Sequence, residues 1–221
     1  MGKEIRVLLS RMFLLELRNK YTISSFFLYV LITVYLCYLS FKTINDTSVW
    51  NALFWIILVF AASNSATRSF NSETKRKQLY QYSLVSPTSV IFSELLFNSL
   101  VIIIISLITF CFYGLFIGFH PLEGADLDIY FLTLILGGIG LSGILTLISG
   151  ISSQTGNGLG MVAILGFPLL LPLLLSLIDL SAISLRGLGW GFAWQKMLVL
   201  TGINGITVTL SFLLFPYLWR E

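Results

Sequence analysis

Along the chain, uncharged apolar stretches of around twenty residues alternate with short polar connections. A helix needs about 20 apolar residues to cross a hydrocarbon core about 30 Å thick, and its backbone groups must be bonded within the segment. Six stretches meet that requirement, over residues 23–41, 49–67, 90–119, 129–150, 159–178 and 197–219. Glu94, near the start of the third, is the only charged residue within the first four. The third is also the longest, so its first turns are expected to project from the bilayer or to tilt. Between the fourth and fifth lies the polar run Ser152-Ser153-Gln154-Thr155-Gly156-Asn157-Gly158, which reads as a tight turn. Before the first span, residues 1–21 alternate basic and apolar positions and predict an amphipathic helix at the membrane surface. There Ile5, Leu8, Leu9, Met12, Phe13 and Leu15 supply apolar contact, while Arg6, Arg11 and Arg18 meet lipid phosphates.

Composition strengthens this picture. Of 221 residues, 57% are hydrophobic and 10% charged, against about 45–50% and about 25% in soluble domains. Too few polar residues remain to cover the surface of a soluble enzyme, and that class is excluded. The first twenty residues are charged and lead into a long span without a small-residue cleavage site, so that span is expected to be retained as an anchor. Cys37 and Cys111 sit in separate apolar runs with no CxxC or Cys/His spacing, which supports neither a disulfide framework nor a zinc site.

The basic residues are unevenly spread. Lys3, Arg6, Arg11, Arg18, Lys20, Arg68, Lys75, Arg76, Lys77 and Arg220 fall on one side of a six-span topology, ten of the thirteen Lys and Arg in the chain. The positive-inside rule then predicts that both termini are cytoplasmic.

Residues 68–88 form the one long polar connection on that side. Asn71 or Ser72 can cap a short helix with Glu73 in its first turn, and Leu79, Tyr82 and Val85 recur near helical spacing before Pro87. A short amphipathic helix there suits docking into a groove of a soluble partner; a basic loop that only enforces topology fits the same residues. Gly114 and Gly118 form a GxxxG, and the fourth span carries Gly137, Gly138, Gly140 and Gly143, small residues that let helices approach closely. Pro168 and Pro172 interrupt the fifth span and predict a kinked or broken helix.

Chemistry is sparse. No ionisable residue sits at mid-membrane; Asp179 comes nearest, at the outer end of the fifth span, which argues against a proton- or sodium-driven device. His120 is the only histidine and has no companion ligand; Trp190 and Trp194 read as interfacial anchors. No GxxxxGK[ST] loop and no nucleophile–base pair is present. No catalytic residue, metal site or nucleic-acid partner is expected, and energy from ATP must come from another chain.

With the elbow Leu15-Glu16-Leu17-Arg18, the polar segment running from Phe70 through Leu79 to Pro87, the Gly-rich fourth span and the Phe167-Pro168…Pro172 of the fifth, the chain resembles the CcmB family, the haem-exporter permease subunit of cytochrome c maturation. The likeness extends over essentially the whole chain. It departs from the family pattern after Asn71-Ser72-Glu73, where Lys75-Arg76-Lys77-Gln78 stands in place of a more acidic run and a glycine. The resemblance implies an ABC-2-like permease in the bacterial inner membrane. An ABC ATPase would dock on Glu73, Lys75, Arg76, Lys77, Leu79, Tyr80 and Tyr82, with a haem-handling membrane subunit alongside. Haem would be cargo of the complex, or of a haem-loaded chaperone it releases, and ATP would be bound by the partner. The same features also suit an ABC-type exporter of a drug, lipid or polysaccharide, or a membrane scaffold without a transport path.

Overall fold

The computed structural model describes residues 2–18, 20–41, 44–71, 86–154 and 158–218. Seven α-helices and one short 3₁₀ turn make up these residues: α1 (Gly2–Arg18), α2 (Lys20–Phe41), α3 (Thr47–Asn71), α4 (Pro87–Ile117), the turn His120–Leu122, α5 (Leu127–Gln154), α6 (Gly158–Leu185) and α7 (Trp190–Leu218). Helices α2 to α7 each contain a stretch long and apolar enough to cross a membrane. The connections α2–α3, α4–α5 and α6–α7 gather at one end, the hairpin end. The start of α1, the ends of α3, α5 and α7 and the starts of α4 and α6 lie at the other, the basic end.

Helix α5 is the hub, packed against α3, α4, α6 and α7. Its buried run from Leu141 to Gly150 would be an unusual soluble surface but suits a helix enclosed by others. Because lipid tails are as apolar as leucine, close packing and interhelical hydrogen bonds must hold such a bundle. Both are present. Trp50, Phe54, Tyr113 and Tyr130 are fully buried; Trp50 stacks on Phe54 at 6.2 Å and meets Tyr113 edge-on at 4.9 Å. The Tyr113 hydroxyl donates to the Trp50 carbonyl (2.8 Å), and Trp55 Nε1 donates to Ser181 Oγ (2.9 Å), so α3 is tied to both α4 and α6. Asn51 adds a bond from Nδ2 to the Ile178 carbonyl (3.1 Å).

Several boundaries differ from those read in the sequence. Helix α6 runs on to Leu185 and α7 begins at Trp190, so Asp179 and Lys196 lie within helices and face each other across the hairpin. Their Nζ–Oδ2 contact of 2.6 Å pairs the two charges at an exposed position. The turn between them shrinks to a few residues, with Gly187 and Gly189 at φ 62° and 76° supplying the reversal. Helix α3 reaches Asn71, so Arg68 to Asn71 continue that helix instead of opening the polar connection, and the short helix expected after Asn71 lies outside the described residues. Gly118 lies outside α4 at φ 112°, and the ring of Phe119 fills the space beside Gly114. The Gly114/Gly118 pair therefore reverses the chain and does not form a helix–helix seam.

The glycines of α5 do serve packing. A Cβ on Gly138 would stand 2.8 Å from Ile103 Cγ1 of α4, and one on Gly137 would stand 2.9 Å from Leu177 of α6. Each glycine admits a different neighbour, which is how one helix touches four.

Candidate coupling site at the basic end

Helix α1 starts the site. Its heptad-like apolar positions split between two faces: Leu8 is buried, with Ile5, Leu9, Met12 and Phe13 half-buried beside it, while Val7, Leu14, Leu15 and Leu17 are exposed. The inward face packs mainly on α4 and less on α2. Glu4 meets Ser86 and Ser89 at the start of α4, and Phe13 meets Phe97 edge-on at 5.2 Å. Helix α1 thus follows the first third of α4 in the same direction. The apolar contacts assigned to lipid in the sequence are largely spent on α4.

The Glu4 contact includes a small hydroxyl–carboxylate network. Ser89 Oγ donates to Glu4 Oε2 at 2.8 Å. Ser86 Oγ, 2.7 Å from Ser89 Oγ and 3.2 Å from Glu4 Oε2, completes the triangle. Ser86 is the N-cap of α4 with extended backbone (φ −64°, ψ 138°), and Pro87 follows in the first turn, where its missing N–H costs nothing. The Ser86 side chain does not cap its own helix; a carboxylate from another helix stands at the positive end of the dipole instead. The Ser89 hydrogen bond, foremost, holds the Glu4 carboxyl below the usual carboxylate range.

The other residues singled out in the sequence fall as follows. Arg6, Arg11 and Arg18 are exposed on the outward face of α1, and Glu16 is half-buried. Glu73, Lys75, Arg76, Lys77, Leu79, Tyr80 and Tyr82 lie outside the described residues. Their segment nonetheless ends at Ser86, the residue Glu4 holds. Pro168 and Pro172 are both exposed on α6, which continues through them as one helix; the carbonyls of Ile164 and Pro168 have no N–H donor one turn on. His120 Nε2 lies 3.2 Å from the Ile44 carbonyl, so it ties two connections at the hairpin end. Trp190 and Trp194 are exposed at that end, as anchors would be.

Sequence reasoning missed two features. Glu4 carried no signal beyond its place in the first turn of α1, because its partners lie some eighty residues away. A buried hydroxyl–amide seam joins α4 to α5, with Asn98 Nδ2 donating to Thr146 Oγ1 (2.9 Å) and Ser99 Oγ to Ser142 Oγ (3.1 Å). Its signal was the recurrence of Ser142, Thr146 and Ser149 on one side of the fourth span.

Among known proteins, the family model of the CcmB protein matches residues 3–217. The chain belongs to the CcmB family. It is accordingly a multi-pass membrane component of the haem-export ABC system, a permease subunit and not itself a catalytic enzyme. No curated protein and no solved structure matches the chain. The six apolar helices of the bundle accord with a CcmB permease.

Proposed function

We propose that this CcmB chain couples ATP hydrolysis in a separate ATPase subunit to a rearrangement of its own bundle, in the service of haem export or of release of a haem-loaded chaperone during cytochrome c maturation. The observation that carries this reading is the family match along residues 3–217. The ATPase seats on Glu73, Lys75, Arg76, Lys77, Leu79, Tyr80 and Tyr82. Support comes from position: residues 72–85 join α3 to α4, and they end at the serine to which α1 is fastened. A push on the segment is therefore delivered to α1 and α4 together. The exposed prolines of α6 offer the bundle a compliant helix, since each lacks one backbone bond.

The basic end faces the cytoplasm in this reading, with ten of thirteen Lys and Arg, and the membrane is the bacterial inner membrane. A haem-handling membrane subunit completes the complex. Reversing the charges of Lys75, Arg76 and Lys77 together, or replacing Leu79→Asp, is expected to reduce ATPase co-purification from membranes severalfold. Unchanged complex yield and ATPase rate in both variants would overturn the docking assignment. Loss of c-type cytochromes in a deletion strain, with normal drug and envelope phenotypes, separates this function from drug or lipid export.

A further inference from the structure

The three connections at the hairpin end are bonded to one another in a closed circuit. Between α2–α3 and α4–α5, Trp50 Nε1 donates to the Gly118 carbonyl at 3.2 Å, and His120 Nε2 lies 3.2 Å from the Ile44 carbonyl. Between α4–α5 and α6–α7 the link is Asp126. Its N–H donates to the Ser184 carbonyl (2.9 Å), its carbonyl accepts from Ser184 Oγ (2.7 Å), and its Oδ2 accepts from the Gly189 N–H (2.8 Å). From α6 back to α3, the Ile178 carbonyl and Ser181 Oγ accept from Asn51 and Trp55.

We propose that this circuit is a rigid plate and the pivot of the bundle, so that force at the basic end splays the helices about a hairpin end that keeps its shape. The direction of the force rests on the coupling function proposed above; the rigidity of the plate does not.

Triangulation is the physical reason. Two links in a row leave a joint free to fold, whereas three links closed on themselves resist shear. The circuit also has no slack: a Cβ on Gly187, at φ 62°, would stand 2.6 Å from the Gly124 carbonyl, so two connections touch backbone to backbone. Within about one turn of the connections, the fully buried Trp50, Tyr113 and Tyr130 pack ring to ring, and close packing transmits strain without yielding to it.

Distance from the plate sets how far each part moves. Helix α5, with 28 residues, is about 42 Å long. A tilt of about 10° about the plate moves its far end by about 7 Å, and a point one turn from the plate by only about 1 Å. The Asn98–Thr146 contact lies more than halfway down α4 from the plate, where such a tilt is felt.

The test uses the full-length chain with its ATPase in lipid nanodiscs, with Cys37 and Cys111 replaced by alanine and spin labels on two cysteine pairs. Asn45→Cys with Arg186→Cys reports on the plate, and Val7→Cys with Ile164→Cys on the basic end; all four positions are exposed. Without nucleotide, the plate pair is expected to give the narrower distance distribution. ATP with vanadate is expected to shift the basic-end pair by several ångströms and the plate pair by no more than about 2 Å. Asp126→Ala removes the Gly189 bond and His120→Ala opens the opposite edge. Each is expected to broaden the plate pair and to cut the basic-end shift about twofold or more. Asp126→Asn keeps an acceptor for the Gly189 N–H and is expected to match wild type.

A plate pair as broad as the basic-end pair, or one that shifts as far with nucleotide, would overturn the proposal. So would a plate pair that stays narrow in both alanine variants. If nucleotide moves neither pair, the coupling function is what has failed, and a narrow plate pair broadened by either alanine variant still upholds the plate. Should one alanine variant misfold, the other decides.

Discussion

At the scale of single residues, the clearest dependence is that of Glu4. Its carboxyl is held below the ordinary value of 4.5 chiefly by the Ser89 hydroxyl. A group whose folded pKa is depressed contributes stability at pH above its unfolded value and loses it as pH falls through the folded one. The α1–α4 contact is therefore expected to be intact above pH 4.5 and to weaken below it. Thermal unfolding in detergent should show an acid-side fall in midpoint that Glu4→Gln flattens, with the variant less stable than wild type at neutral pH. Because Glu4 is only half-buried, the effect is small, and the shape of the pH profile is more telling than its size. Inside the bundle the decisive pair is Asn98 and Thr146, 2.9 Å apart and buried. A double-mutant cycle with Asn98→Ala and Thr146→Ala is expected to give a coupling of about 0.6 kcal/mol, and no more than about 1.7 kcal/mol, because the unfolded chain in a membrane-like solvent also finds partners.

At the scale of elements, the packing of α5 on α4 turns on absent side chains. A Cβ at Gly138 meets Ile103 Cγ1 at 2.8 Å and the Ile103 backbone at 3.4 Å, so the contact cannot be relieved by one rotamer change. Gly138→Ala is expected to cost about 1–3 kcal/mol, whereas Gly202→Ala on α7, with nothing within 4 Å of its Cβ, should stay within about 1 kcal/mol of wild type or gain slightly. Reversible unfolding in mixed micelles checks both. The number and class of these helices were legible because twenty uncharged residues in succession have one stable solution in lipid. Their ends were less legible. Asp179 and Lys196 read as boundary residues one at a time, whereas α6 and α7 run past them and bring the two into contact. For α1 the amphipathic pattern was visible, but nothing local to residues 2–18 tells which apolar stripe meets α4 and which stays outside. That choice is made by Phe97, Ser86 and Ser89, remote in sequence.

At the scale of the whole molecule, the question is which parts move together when the basic end is pushed. Helix α1 is joined to α4 at two points, Glu4 with Ser86 and Ser89, and Phe13 with Phe97. Two separated contacts fix both position and direction, so the pair should travel as one body, while α4 moves against α5 along the hydroxyl seam and the glycines. This yields a test by cross-linking. In a background with Cys37 and Cys111 replaced by alanine, Glu4→Cys and Ser89→Cys joined by a short bifunctional thiol reagent should leave partner-dependent ATPase coupling within about twofold of the uncross-linked protein, since the link spans groups that keep their distance. Asn98→Cys and Thr146→Cys, joined likewise across α4 and α5, should abolish coupling and recover on cleavage of the linker. The contrast matters more than either result, because both links are comparably short and both join α4 to a neighbour. Inhibition by the first link with tolerance of the second would place the moving boundary between α1 and α4, and the segment before Ser86 would then act on α4 alone.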